Sequence, residues 1–469
     1  MVTTNLTSML PDIKEVVNLF GNEKDFNIEH FFNESDTHYL HSVTVSPLTV
    51  SSNATKNEYL YEFDKVKYSD PLEVKRVLKR YSKLSVYKAL VQTTKEEKPW
   101  GALTGIRPTK LAYTQLEKTG DFKNFFSSVM GVSEDKIKLV ESILSSQKGI
   151  YNTDSDNADF FAEIPFCPTR CSYCSFITAD MRKTAKLIPD YVTALEKEIK
   201  NAKSLVKKLR SVYIGGGTPV SLELKDLERV LKAIDYSGVE YTVEAGRPDC
   251  INEDNLKLLK DYGVTRICVN PQTFNDKTLV KIGRNHTAKD IFTKFELAKK
   301  FGFDINMDFI AGLPDENFLD FKNSIDTAIS LNPENITVHT LCLKKGSELK
   351  EVSERLSAGE VPKMVEYAHA VLQNSDYNPY YMYRQKYTAG NLENTGYALK
   401  GKECVYNIDI MEEISSNIAC GAHAVSKVVI NGGERIERYA SPKDIVTFIN
   451  KVDEIIRAKK ELFEKELKF

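Results

Sequence analysis

The sequence predicts an α/β fold with a central parallel sheet, and three observations lead to it. Between Ala158 and Cys342, short apolar runs alternate with longer amphipathic runs in six consecutive β–α units. Before them, residues 1–150 contain no cysteine and end at a polar stretch, so they form a separate α+β module. After about Gly346 the alternation stops, which predicts a core at 158–345 and an α+β extension at 346–469.

The core elements follow from the period of the apolar residues. The predicted strands are Asp159–Ile164, Ser211–Ile214, Glu240–Ala245, Thr265–Val269, Asp304–Phe309 and Asn335–Leu341. The predicted helices between them are Ile188–Leu209, Leu224–Ile234, Asn252–Tyr262, Asp290–Phe301 and Phe318–Leu331. Six such units form a parallel sheet with right-handed crossovers, either doubly wound or as a barrel. In both cases the chemistry belongs at the carboxyl ends of the strands.

The flanking modules carry weaker patterns. In the first, Tyr39–Ser46 alternates like a strand, and a basic amphipathic helix begins near Pro71. Its Lys and Arg residues form either a solvated face or a nucleic-acid surface, and the solvated face is the ordinary case. In the extension, the pattern predicts a helix at Lys363–Gln373, a hairpin around Asn431–Gly433 and a charged helix at Pro442–Phe469.

Composition bounds the function. The chain has 469 residues with 64 Lys and Arg against 66 Asp and Glu, a net charge of -2. A balance of this kind gives no overall attraction to nucleic acid or to an anionic membrane. We see no secretory signal and no apolar run of the ~20 residues that span a bilayer, so we expect a cytoplasmic protein without a membrane segment. Eight cysteines in such a chain favour metal or catalytic roles over disulfides.

Three of these cysteines, Cys167, Cys171 and Cys174, follow the first predicted strand with the spacing C-x3-C-x2-C. Thiolates at short spacings hold iron–sulfur clusters, and three of them leave one iron of a cubane cluster without a protein ligand. A structural zinc site is the alternative, but it takes four ligands, and the fourth would have to come from a distant part of the chain. The other cysteines are expected to be buried inert thiols: Cys250, Cys268, Cys342, Cys404 and Cys420.

Glycines and polar residues follow the later strands. Gly215, Gly216 and Gly217 close the second strand, where the absence of side chains lets the backbone approach the amino group of a ligand. Glu244 ends the third strand and is suited to an ammonium group or ribose hydroxyls, although a surface salt bridge is the alternative. Further polar residues lie at or just beyond strand ends, among them Gln272, Arg284 and Asp308.

With Tyr173 before the last cysteine, these motifs resemble the radical S-adenosylmethionine (SAM) superfamily. The resemblance implies a partial (β/α)6 radical SAM barrel with two cofactors, a [4Fe–4S] cluster and SAM. It also implies that the open iron binds the methionine end of SAM, and that one electron then releases a 5′-deoxyadenosyl radical.

The order of the motifs from about residue 160 to 345 is similar to that of the oxygen-independent coproporphyrinogen III oxidase family, which includes haem chaperones. The segment Leu103–Pro108 and the runs that begin at Tyr383 and Gly390 resemble its longer coproporphyrinogen dehydrogenase branch, the HemZ type. The resemblance implies that Cys167, Cys171 and Cys174 hold the cluster and that Tyr173 flanks it. It implies SAM contacts at Phe161, Gly216, Gly217, Thr218, Glu244, Gln272, Arg284 and Asp308.

Three positions depart from the family. Phe161 replaces a tyrosine, and Glu163 stands where a histidine often precedes the Ile-Pro pair. Phe176 stands where the established oxidases have a fourth cysteine, which the haem-chaperone relatives also lack. Two readings therefore follow from the resemblance: oxidative decarboxylation of coproporphyrinogen III to protoporphyrinogen IX, with a flavodoxin or ferredoxin as electron donor, or a haem-binding chaperone.

Other functions compete with these two. Radical modification of tRNA or peptide is one, but its methylthiotransferase version needs a second cysteine cluster, and residues 1–166 contain no cysteine. A ferredoxin-like electron carrier would need neither the open iron nor a large α/β core. His286, His339 and His423 are candidate haem or substrate contacts, or else ordinary structural histidines. The tyrosines from Tyr377 to Tyr387 would either line a flat macrocycle pocket or fill the core.

Overall fold

The computed structural model describes residues 1–21, 24–48, 53–63, 70–105, 107–174, 179–342, 360–385, 388 and 391–467. Several residues that carry predictions lie outside this part of the chain: Phe176, Gly346, Tyr387 and Gly390. The chain divides into two compact units, Met1–Glu141 and Ser142–Phe469. In the described part of the chain, no helix is both long enough and apolar enough to cross a membrane.

The first unit contains a four-stranded sheet with the strand order β1-β2-β3-β4. Its elements are β1 (Val2–Thr4), α1 (Leu10–Val17), β2 (Phe26–Glu34), β3 (His38–Pro47), β4 (Thr55–Glu62), α2 (Pro71–Thr94), α3 (Pro108–Thr119) and α4 (Glu134–Ser146), which extends past the boundary. The predicted strand and the predicted basic helix are both confirmed, as β3 and α2. Lys75, Arg76 and Lys79 are exposed on α2. Lys83 is buried instead, because it pairs with Glu15 at 3.1 Å.

The second unit is organised around a single sheet of eleven strands, in the order β13-β14-β12-β11-β10-β9-β8-β5-β15-β16-β17. Its strands, with the short pair β6 and β7, are β5 (Asn157–Ile164), β6 (Phe166–Cys167), β7 (Ala179–Asp180), β8 (Lys208–Gly216), β9 (Glu240–Val243), β10 (Arg266–Cys268), β11 (Asp304–Ala311), β12 (Asn335–Thr340), β13 (Tyr377–Arg384), β14 (Glu393–Leu399), β15 (Ser416–Cys420), β16 (Val425–Ile430) and β17 (Arg435–Ala440). The six predicted strands are confirmed as β5 and β8 to β12, and they run parallel in chain order.

Helices connect these strands. They are α5 (Met181–Thr184), α6 (Ile188–Ala202), α7 (Leu224–Ile234), α8 (Glu253–Asp261), α9 (Asp276–Lys281), α10 (Ala288–Lys300), α11 (Phe318–Leu331), α12 (Val361–Gln373), α13 (Val405–Glu412), α14 (Ile445–Asn450) and α15 (Val452–Leu467). Capping boxes at Asn252, Thr287 and Asn317 begin α8, α10 and α11, where the cap side chain accepts from a free backbone N–H. The apolar faces of the helices and the strands form one continuous core in this unit.

Most predicted helices are confirmed, and the differences have local causes. The first core helix ends at Ala202 rather than Leu209, because apolar residues continue its pattern into the next strand. The short helix α9 was not predicted, since its six residues are too few to show a helical period. The final charged segment forms two helices that are separated at Lys451. The hairpin at Asn431–Gly433 is confirmed between β16 and β17.

The segment after residue 346 contributes strands to the same sheet as the core. β15 pairs parallel to β5, so that Ala419 lies opposite Phe161. On the other side, β14 pairs antiparallel to β12. The extension thus lengthens the sheet at both edges of the six-strand series, while the predicted boundary at residue 345 stays a prediction.

Candidate functional site

The cysteine loop follows β5 and is held by the glycine run at the end of β8. The backbone N–H of Gly217 donates to the carbonyl of Ile164 at 2.7 Å, and that of Thr218 donates to the carbonyl of Phe166 at 2.8 Å. The hydroxyl of Thr218 lies 3.5 Å from the sulfur of Cys167. Burial raises the pKa of the Cys167 thiol to about 11, so its thiolate needs a nearby positive charge or a metal ion.

Close backbone contact explains the glycines of this run. A Cβ on Gly217 would lie 2.4 Å from the carbonyl oxygen of Phe166. Gly216 has φ +112°, a conformation that residues with side chains rarely adopt. The glycines therefore dock the segment before Cys167, in addition to any approach to a ligand.

Two carboxyl groups lie beside the glycine run. Glu244 accepts from the hydroxyl of Tyr213 at 2.7 Å and from the backbone N–H of Gly216 at 3.3 Å. The Glu163 carboxyl packs against the same glycine, 2.5 Å from the position of an added Cβ. Burial raises the pKa of Glu244 to about 7, and burial together with the charge of Glu244 raises the pKa of Glu163 to about 8. A cation bound beside these two groups would favour their ionised forms.

Aromatic side chains stack below these carboxyl groups. The ring of Tyr213 stacks on that of Tyr406 from α13, with centroids 4.4 Å apart. Phe161 lies parallel to both rings, at 6.2 Å from Tyr213 and 6.1 Å from Tyr406. The three rings give one side of the site an apolar wall.

Two buried arginines face the cysteine loop. Arg247 donates from Nη1 to the carbonyl and hydroxyl of Thr169, at 3.1 and 2.9 Å, and lies 3.8 Å from the sulfur of Cys171. Arg284 donates to the hydroxyl of Tyr173 at 2.9 Å and to the carbonyl of Gly246 at 3.3 Å. Burial opposes the charge of Arg247, but its hydrogen bonds to Asp249 outweigh that effect and keep its pKa above the ordinary value.

Asp308 on β11 is held by amide groups on the side of the sheet where the parallel strands have their carboxyl ends. Asn270 and Asn306 each donate to one of its carboxylate oxygens at 2.7 Å. His339 lies 3.7 Å from the carboxylate through Nε2, and its Nδ1 is 3.3 Å from the hydroxyl of Tyr383. Burial opposes ionisation of Asp308, but these neighbours lower its pKa overall.

The structure brings most of the sequence-predicted site residues into three groups at this edge. Cys167 and Thr218 form the first, Glu244, Gly216 and Phe161 lie around Tyr213 in the second, and Arg284 with Tyr173 forms the third. Asp308 lies in the adjacent amide network. Gln272 is buried with φ +68°, and its backbone N–H donates to the carbonyl of Asp308 at 2.9 Å.

The three candidate histidines are placed apart. His339 lies at the Asp308 network, whereas His286 is buried near Asp249, 3.9 Å away, where burial lowers its pKa to about 4. The backbone of His423 bonds to Pro442 outside these groups. Tyr377, Tyr380 and Tyr381 are buried core residues, and among the described tyrosines of this run Tyr383 contacts His339.

The remaining cysteines differ in burial. Cys268, Cys404 and Cys420 are buried, as expected. Cys250 and Cys342 are partly exposed, so the expectation of burial was wrong for those two: Cys250 ends a short 3-10 helix and Cys342 lies in an isolated bridge, both outside the strands of the sheet.

The residues around the loop suit a negatively charged iron–sulfur cluster. Among the described side chains, no three His, Cys, Asp or Glu residues are close enough to hold one metal ion. A cubane cluster does not need such a group, because each of its thiolate ligands binds a different iron. Two buried polar atoms at this site find no hydrogen-bond partner among the described residues: Ser172 Oγ within the loop, and Nε of Arg284, which contacts Tyr173 of the loop. Together with two arginine charges, these atoms fit a ligand with acceptor groups.

Comparison with known proteins gives the class. Residues 164–328 match the family model of the radical SAM superfamily. This stretch contains the cysteine loop, the glycine run, Glu244 and Asp308. The fold and the match define a radical SAM protein, and the radical SAM fold implies a [4Fe–4S] cluster and SAM.

The family follows from similarity over nearly the whole chain. The oxygen-independent coproporphyrinogen-III oxidase-like protein HemZ of Bacillus subtilis is 33% identical over 476 residues, which cover 96% of this chain and 93% of that protein. The chain therefore belongs to the HemZ family of oxygen-independent coproporphyrinogen-III oxidase-like proteins.

Two further proteins match over less of the chain. The heme chaperone HemW of the same organism is 38% identical over 195 residues, or 39% of this chain and 50% of HemW. The structure of coproporphyrinogen III oxidase (HemN) from Escherichia coli superposes with a TM-score of 0.52 at 21% identity, over 69% of this chain and 73% of that one. That superposition supports the predicted fold.

Sequence reasoning missed several residues of this site. Tyr213 lies within a predicted strand and Arg247 lies three residues after Glu244, but nothing in their spacing distinguishes either from neighbouring residues. Tyr406 lies far along the chain on α13 and could be found only through its ring contacts.

Proposed function

We propose that this chain is a radical SAM enzyme that converts coproporphyrinogen III to protoporphyrinogen IX by oxygen-independent oxidative decarboxylation. The observation that carries the proposal is the full-length similarity to HemZ, combined with a cysteine loop, a glycine run and Glu244 that meet at one edge of the sheet. When bound, the cluster and SAM would supply hydrogen-atom abstraction from a propionate side chain, and loss of carbon dioxide with transfer of one electron to an external one-electron acceptor would leave a vinyl group.

The residues have separate parts in this proposal. Cys167, Cys171 and Cys174 hold three irons of the cluster. The backbone of the glycine run and the Glu244 carboxylate hold the ammonium group of SAM, and a hydrogen bond from Tyr213 orients that carboxylate. The stacked ring wall keeps water away from the reacting carbon.

Further SAM contacts are part of the proposal. They are Phe161, Thr218, Gln272, Arg284 and Asp308, with Tyr173 beside the cluster. Arg284 suits the carboxylate of SAM, because it is buried and its Nε has no partner among the described residues. A flavodoxin or ferredoxin as electron donor and a cytoplasmic location complete the proposal.

The test is an anaerobic assay of the reconstituted protein with SAM, a low-potential reductant and coproporphyrinogen III. Mass spectrometry should detect 5′-deoxyadenosine together with porphyrins that have lost one and two carboxyl groups. Cys171→Ala should abolish both products, while Cys420→Ala, a buried cysteine outside the loop, should retain its iron. Formation of 5′-deoxyadenosine without decarboxylation would overturn coproporphyrinogen III as the substrate, but it would still support radical SAM chemistry.

A haem-binding chaperone is the second candidate, because HemW proteins match 39% and 54% of this chain. His339 and Tyr383 at the Asp308 network offer an imidazole and a flat ring to a macrocycle. In the same preparation, stoichiometric haem binding that is lost in His339→Ala would favour this function. Absence of a haem Soret shift at equimolar haem would exclude it.

A further inference from the structure

The guanidinium group of Arg247 lies between the end of β9 and the cysteine loop. Its Nη1 reaches Thr169 twice and lies 3.8 Å from the sulfur of Cys171, whereas Arg284 reaches the neighbouring Tyr173. Arg247 is 4% exposed. A buried cation with its donors on a loop acts on that loop more strongly than a solvated one, because water does not screen it.

Asp249 fixes the orientation of this group. Its two carboxylate oxygens accept from Nε and Nη2 of Arg247 at 3.1 and 2.9 Å, a fork that leaves Nη1 free to face the loop. The nearby His286 has a pKa lowered to about 4 by burial and by the neighbouring Arg284, so it is neutral at pH 7 and adds no competing charge. Two carboxylate bonds thus aim one guanidinium N–H edge at Thr169 and Cys171.

We propose that Arg247 is a positioning residue that holds the middle of the cysteine loop and stabilises the reduced state of the cluster. The inference rests on the cluster assignment proposed above. Gain of one electron adds a negative charge to the thiolate-bound cluster, and a fixed positive charge 3.8 Å from the Cys171 sulfur favours that state. Hydrogen bonds and charges near the sulfurs are known to set the potentials of such clusters.

A redox titration of reconstituted protein tests this inference without any porphyrin. Wild type, Arg247→Gln, Arg247→Lys and Asp249→Asn are each assembled anaerobically. Iron and sulfide content are measured, and the reduced cluster is then followed by electron paramagnetic resonance against the applied potential. Arg229→Gln is the matched control, because Arg229 forms a partly exposed ion pair with Glu196 on the outer helices.

Arg247→Gln and Asp249→Asn should shift the reduction potential of the cluster in opposite directions. Arg247→Gln should lower the reduced-to-oxidised ratio at a fixed potential about tenfold, which is 59 mV for a one-electron couple. Arg247→Lys should recover part of that loss, since it keeps the charge but not the fork. Asp249→Asn should raise the ratio, because it removes the compensating carboxylate. Arg229→Gln should match the wild type.

The outcomes separate the two proposals. Unchanged potentials in Arg247→Gln and Asp249→Asn, with full iron content, would overturn the role of Arg247. If Arg247→Gln retains no iron, the Asp249→Asn variant decides the question. A reduction potential equal to that of the wild type would overturn the proposed role of Arg247, and a higher reduction potential would support it. A wild-type protein that forms no [4Fe–4S] cluster would overturn the proposed function itself.

Discussion

The buried ion pair between Lys459 and Glu198 gives a prediction whose size follows from the structure. The ammonium of Lys459 on α15 contacts the Glu198 carboxylate on α6 and the carbonyl of Ala419 on β15. The other oxygen of Glu198 accepts from the backbone N–H of Gly421 at 2.8 Å. A Cβ on Gly421 would lie 2.8 Å from the Cβ of Glu163 on β5. The ion pair therefore supports the strand that leads into the cysteine loop.

The side chains of Lys459 and Glu198 are 2% and 1% exposed. Lys459→Met leaves the carboxylate buried without its cation, and removal of one partner from such a pair costs about 3–5 kcal/mol. At about 2 °C per kcal/mol for a unit of this size, the unfolding temperature should fall by about 6–10 °C. Glu198→Gln with Lys459→Met removes both charges, so the double variant should lose less than Lys459→Met alone.

The measurement is thermal unfolding of the wild type, both single variants and the double variant, followed by circular dichroism in the same anaerobic buffer. Lys197→Met is the matched control, because it breaks an exposed ion pair with Asp453 on neighbouring turns of the same two helices. It should change the unfolding temperature by less than about 2 °C. A loss below about 1 kcal/mol in Lys459→Met, or simple additivity in the double variant, would refute this reasoning.

Three further predictions concern the site. Gly217→Ala places a Cβ 2.4 Å from the carbonyl oxygen before the first cysteine, so reconstituted protein should bind less iron, whereas Gly105→Ala, with its nearest contact at 4.0 Å, should bind a normal amount. Burial raises the pKa of Glu163 from 4.5 to about 8, so the contribution of its protonation to stability is complete below about pH 4.5 and is lost as the pH rises from there through 8. The free energy of unfolding of Glu163→Gln should therefore rise relative to that of the wild type by about 1.4 kcal/mol per pH unit between pH 5 and 8. If the unfolding free energies of the two proteins change in parallel over this pH range, the prediction is wrong. Tyr213→Phe removes the 2.7 Å hydrogen bond to Glu244 and should weaken SAM binding about tenfold at pH 7, as measured by equilibrium dialysis. Unchanged SAM binding would show that Tyr213 has no role in the SAM site.

Much of the central fold could be predicted because its signals are local. The helix at Leu224–Ile234 is observed at the predicted bounds, since its apolar residues repeat with a helical period over three turns. β5 and β12 are buried along almost their whole length, whereas β11 alternates buried apolar residues with less buried polar ones. Boundaries failed where apolar residues continue from helix to strand, as after Ala202.

The order of the strands along the chain also predicted that the candidate site lies at the carboxyl ends of the parallel strands. Carboxyl ends of consecutive parallel strands meet at one edge, so the cysteine loop, the glycine run and Glu244 were expected to lie near one another. The contacts of Thr218 with Cys167 and of Glu244 with Gly216 lie at that edge. Their roles toward SAM and the cluster stay predictions.

The sequence by itself determined the β–α series, the cysteine spacing and the resemblance to radical SAM proteins, because each is written in residues that are close together in the chain. Only the tertiary structure decided which side chains complete the site. Arg247 meets Cys171 across 76 residues, and Lys459 meets Glu198 across 261. Such contacts depend on how strands pair and which groups lose water on burial, and no local period records either.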